Sequence, residues 1–112
     1  MDSTRQAKIS RLLQKELSSY FQREARNTYG AGIISVTVVR VSPDLSVAKV
    51  YLSIFPGHNQ PAVYSLIEEH ARQIRFTIGQ LIRHQLRVVP ELAFFIDDSL
   101  EYAHRIDELL KE

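Results

Sequence analysis

The 112-residue chain has no cysteine, which removes disulfides, thiolate nucleophiles and thiolate metal sites and permits a reducing compartment. No apolar run approaches the roughly 20 residues of a membrane span. The opening MDSTRQAK has neither the apolar core of a secretory signal nor the acid-free amphipathic character of a transit peptide. Repeats, low-complexity tracts, Walker-type phosphate loops and nucleophile–base pairs are missing. His58, His70, His84 and His104 stand 12 to 20 residues apart, too far for metal-site spacing. Asp97 and Asp98 read better as a strand-end turn and helix cap than as catalytic carboxylates. These absences point to a cytoplasmic protein that is not an enzyme and holds no metal.

What is present fits one domain spanning residues 1–112, with 45% apolar and 24% charged residues. The net charge of +1 hides a strong polarisation. Residues 1–26 hold six cations against three acids, residues 71–90 hold four arginines and no acid, and residues 97–112 hold six acids against two cations. A chain so divided can attract a polyanion on one side.

Helical spacing of Ile9, Leu12, Leu13, Leu17, Tyr20 and Phe21 predicts a first helix, capped by Asp2 or Ser3 and running to about Arg26. Arg5, Lys8, Arg11 and Lys15 recur three or four apart on its flank. IISVTVVRV and SVAKVYLSIF then predict two strands, the second with Ala48, Val50, Leu52 and Ile54 on one face. SPDLS between them suits a hairpin loop, with Pro43 second in a type I turn. Pro61 opens a second helix, and apolar periodicity continues through Ile74, Ile78, Leu81, Ile82 and Leu86 to Pro90. So long a helix is expected to break near residues 70–76. ELAFFID is a third strand, and Asp98 with Glu101 would start a last short helix by a capping box. The fold class is α+β, ordered α-β-β-α-α-β plus a C-terminal helix, with helices on one face of a three-stranded sheet.

At about 100° per residue, Arg72, Arg75, Arg83 and Arg87 share an arc of about 120°, largely opposite the apolar stripe. Gly79 lies inside that arc, at a cost of about 1 kcal/mol relative to alanine. Its missing side chain would let a phosphate backbone approach between Arg75 and Arg83, or would serve a bend or close packing on a neighbouring helix. A solvated helix face usually mixes signs; this one does not, and RNA or DNA is the commonest partner of such a surface. Tyr51, Phe55 and Phe95 could share a sheet face and stack bases, or belong to aromatic packing.

VRVSPDLSVAKVYLSIF (Val39–Phe55), RVVPELAFFIDDSLEYAHRIDELL (Arg87–Leu110) and the opening TRQAKISRLLQKELS resemble, in order, segments of the ribosome-binding factor A family of bacterial assembly proteins. The resemblance implies a KH-like domain of the second topology. It also implies a non-enzymatic, monomeric factor that needs no cofactor, takes no small-molecule substrate, binds the small (30S) ribosomal subunit and 16S rRNA and supports late maturation and rRNA processing, especially in the cold. Arg5, Lys8, Arg11, Arg75, Gly79, Arg83 and Arg87 inherit an RNA-binding role by position; Lys15 and Arg72 join them by charge.

The family departs from single-strand-gripping KH domains, whose Gly-x-x-Gly loop has no match here. The family's Ala-x-Gly kink falls on His70 and Arg72, so the kink glycine is absent and Gly79 becomes a candidate bend. His84-Gln85 reads as an insertion that leaves the phase of Arg87 open. Competing readings are a protein–protein adaptor using the sheet face or acidic C-terminal helix, and a general nucleic-acid binder. Arg75→Ala combined with Arg83→Ala is expected to weaken small-subunit binding without unfolding the chain. In co-sedimentation across a salt series, the log K against log salt slope should flatten by about 0.7–0.9 for every phosphate left unneutralised.

Overall fold

In the computed structural model, residues 3–97 are described. They form α1 (Thr4–Glu24), β1 (Ile33–Val41), β2 (Val47–Phe55), a 3-10 turn (Gly57–Asn59), α2 (Gln60–Glu69), α3 (Ala71–Ile82) and β3 (Glu91–Ile96). The α-β-β-α-α-β order is the expected one. The Asp98–Glu101 capping box and the C-terminal helix lie outside the described residues.

Ser3 caps α1 through a capping box. Its Oγ accepts from the Gln6 amide (3.1 Å), and its own amide donates to Gln6 Oε1 (2.8 Å). Gln6 is also buried, and its Nε2 donates to the Val41 carbonyl at 2.9 Å. One side chain therefore fixes both the start of α1 and the end of β1. The α1 stripe Ile9, Leu13, Leu17, Tyr20 and Phe21 is buried over the sheet, with Leu12 partly buried beside it.

β1 and β2 pair antiparallel, and β3 adds parallel to β2, giving the sheet order β1-β2-β3. Ala48, Val50, Leu52 and Ile54 face the core as expected. In β1 the register shifts between Val36 and Val38, so Thr37 is the extra residue of a β-bulge. Gln14 of α1 donates to the Val36 and Thr37 carbonyls (3.3 and 3.4 Å), and Thr37 Oγ1 donates to Asp97 Oδ2 at 2.6 Å. The hairpin turns at Pro43-Asp44, with Leu45 N–H bonded to the Ser42 carbonyl and Leu45 in the left-handed region at φ 64°. Hydrogen bonds from the Ser42 and Ser46 hydroxyls, then the Ser46 amide, hold the Asp44 carboxyl down at about 2.

The long periodic segment breaks at His70, inside the expected window and without a glycine. The His70 amide bonds back to Leu66 and Ile67 carbonyls, and its ring Nδ1 lies 2.8 Å from the Leu66 carbonyl. That carbonyl can only accept, so Nδ1 carries the proton. Gly79 sits within uninterrupted α3, so the break between the helices falls at His70 and not there.

Two expectations need correction. The helix does not run on to Leu86: Gln85 and Leu86 amides both bond back to the Ile82 carbonyl, closing α3 one turn beyond its end. Leu86 reaches the core from the loop instead, while Leu81 is 51% exposed and outside the core.

Gln6→Ala should lower unfolding stability by about 1–3 kcal/mol, because it removes the cap reciprocity and orphans a buried carbonyl. Urea denaturation checks this; a change under about 0.5 kcal/mol would show that the tie is dispensable.

Candidate nucleic-acid interface

α1 packs over β1 and α3 over β3, and the two helices touch. Lys8, Arg11 and Lys15 project from α1 at about 140–200° from buried Leu13, on the outward crest of the helix rather than on its flank, with Arg5 nearer the edge; all four are exposed. On α3, Ile74, Ile78 and Ile82 form the buried stripe, and Arg72, Phe76 and Arg83 lie across from it.

Beside α3, a groove of about 860 Å³ runs between the helix and β3, which is an edge strand. It brings together Arg72, Arg75, Gly79 and Arg87 of the sequence-derived set, with Phe76 and Val88. Arg83 caps the C-terminus of α3 outside this lining, where a cation also favours the helix dipole. Arg87 comes from the loop after α3, so it reaches the groove without sharing the helix face.

Within the groove, Arg75 has structural work. Its Nη2 donates to the Val89 carbonyl at 2.6 Å, and its Nε lies within 3.2 Å of the Val89 and Pro90 carbonyls. The guanidinium thereby holds the loop that leads into β3, so Arg75 serves the fold as well as the charge of the groove. Gly79 has a local reason too. A Cβ there would lie 3.3 Å from Val89 Cγ2, so the neighbour filling its missing volume is the chain's own loop, not a second helix. By contrast, among the described residues, Arg5, Lys8, Arg11, Lys15, Arg72, Arg83 and Arg87 have no hydrogen-bonding or ion-pairing partner.

The acid-free run is not acid-free in space, because Glu68 and Glu69 of α2 and Glu91 of β3 also line the groove. Phe76, 68% exposed, escaped the sequence reading although it falls inside the basic arc. An aromatic residue among arginines on a polar face was the available signal. No group of three or more metal-ligating side chains occurs among the described residues.

The family model for ribosome-binding factor A matches residues 5–110. The chain is 44% identical over 112 residues to ribosome-binding factor A of Cytophaga hutchinsonii, covering all of this chain and 84% of that one. It is 47% identical over 111 residues to the Christiangramia forsetii protein, covering 98% and 85%. In structure it is similar to ribosome-binding factor A from Thermus thermophilus, with TM-score 0.65, 22% identity and coverage of 81% and 94%. It is also similar to a homology model of the Thermus protein fitted into a cryo-EM map of a 30S–RbfA complex, with TM-score 0.54, 23% identity and coverage of 78% and 93%. These neighbours have a KH-like fold.

Arg75→Ala should destabilise the chain by about 1 kcal/mol through loss of charge-assisted bonds to two carbonyls, and Arg83→Ala by less than about 0.5 kcal/mol. Parallel urea titrations separate the two; equal effects would contradict the assigned role of Arg75.

Proposed function

The chain belongs to the ribosome-binding factor A family, and on that premise we propose that it is a non-enzymatic assembly factor binding the small ribosomal subunit through 16S rRNA. The observation that carries the reading is the set of exposed cations on α1, α3 and the groove loop that lack partners among the described residues. Holding such charges unpaired on a rigid helix layer adds little to stability. It does supply counterion release when a phosphate backbone docks. The Thermus relative fitted into a map of a 30S complex supports the small subunit as that polyanion.

Phosphate-directed cations of this kind position rather than read sequence. Specificity then comes from the shape of the folded rRNA against the α1–α3 surface, with Phe76 offering an apolar face where a base is unstacked. Arg72, Arg83, Arg87 and the α1 cations meet the phosphates. Arg75 contributes field while holding its loop, and Gly79 keeps that loop seated. The protein acts as a monomer in late subunit maturation and 16S rRNA processing.

Lys8→Gln with Arg11→Gln and Lys15→Gln, and separately Arg72→Gln with Arg83→Gln, should weaken co-sedimentation with small subunits while leaving thermal unfolding in place. The log K against log salt slope should flatten by about 0.7–0.9 for each phosphate no longer neutralised, and wild type should prefer small subunits to large subunits and to free RNA. Unchanged slopes in both variants would refute the reading.

A further inference from the structure

The sheet face turned away from the helices has its own chemistry. Arg40 of β1 and Lys49 of β2 are cross-strand partners, both exposed. Like charges placed directly opposite disfavour the sheet, and neither forms a hydrogen bond or ion pair among the described residues. Next along the same face, Tyr51 pairs with Val38 on one side and Phe95 on the other. The Tyr51 and Phe95 rings stack with centroids 5.4 Å apart and planes inclined 26°, and Phe95 stays 40% exposed. At the far end the exposed side chains of Ile33 and Phe55 pair. At about 3.4 Å rise per residue, the cation pair and the aromatic pair stand about 7 Å apart along β2.

An apolar patch alone would suit a protein, but the uncompensated cation pair beside a ring pair matches a different ligand. Single-stranded RNA offers phosphates for the cations and free base faces for the rings. Double-stranded RNA hides its base faces in the stack, and a flat sheet presents no element to a groove. We propose that this open face is a second RNA-binding surface, specific for single strands, in which Arg40 and Lys49 take a phosphate and the Tyr51–Phe95 pair stacks a base. It goes beyond the helix-layer surface and lies on the opposite side of the sheet. A bound protein could therefore hold folded rRNA on one face and an unpaired segment on the other.

The full chain should bind a mixed-sequence RNA octamer carrying a central 2-aminopurine, quenching its fluorescence, and should bind the same octamer less tightly once it is annealed to its complement. Arg40→Gln with Lys49→Gln should weaken octamer binding about tenfold at low salt and flatten its salt slope by about 0.7, the one phosphate the pair takes. Tyr51→Leu with Phe95→Leu should abolish the quench and weaken binding about tenfold, while cooperative melting shows that the sheet persists. The triple glutamine variant of α1 should keep the quench. Wild-type failure to bind the octamer, intact quenching in the Leu variant, or loss confined to the α1 variant would overturn the proposal. Failure of the helix-layer variants to affect subunit binding would refute only the role given to the helix layer.

Discussion

The constraint on which the arrangement depends is the parallel addition of β3 to β2. A parallel neighbour cannot be reached by a tight turn, so the chain must cross from one end of the sheet to the other. Here it does so through α2 and α3. The His70 break lets two helical segments lie on the same side instead of one overlong rod leaving the domain. With α1 already over β1, every helix among the described residues ends up on one face. Two features follow from that. A groove opens between α3 and the edge strand β3, and among the described residues no helix covers the far side of the sheet.

Inside the groove, structural and ligand-facing duties are divided among neighbouring arginines. Arg75 spends its donors on Val89 and Pro90, and Gly79 yields its volume to Val89. Both act on the same loop, from which Arg87 reaches the groove and through which the chain enters β3. The amide of Glu91, at the start of that strand, bonds to the Ser46 carbonyl. Arg87, which has no such partner among the described residues, is presented to the groove because these two residues keep its loop in place.

Much of this was legible in the sequence, and the misses have identifiable causes. The strands were readable because β2 alternates without exception and β1 is rich in β-branched residues. The end of α3 was not. Leu86 reaches the core from a loop at a position that also continues the helical period, so periodicity could not tell helix from loop. The acids around the groove were hidden for another reason. Glu68, Glu69 and Glu91 flank the arginine run in the sequence, and only the fold turns them into its lining. The α1 cations stand out in the sequence by their spacing, which sets them on the flank of the apolar stripe, whereas burial puts Lys8, Arg11 and Lys15 on the crest.

Arg40 and Lys49 show the sharpest limit, because their meeting depends on the single extra residue at Thr37. The pairing of Val36 with Leu52, continued without a bulge, would set Arg40 opposite Ala48, a buried position. A slip of one residue exchanges the faces of a strand. The bulge restores Val39 and Val41 to the core and turns Arg40 outward, opposite Lys49. Gln14 holds the carbonyls of Val36 and Thr37 from the helix layer, and Asp97 receives the Thr37 hydroxyl from the end of β3. Gln14 belongs to the same helix that displays Arg11 and Lys15. The docking of α1 thus sets the charge pattern on both sides of the sheet, directly on its own crest and through the bulge on the open face.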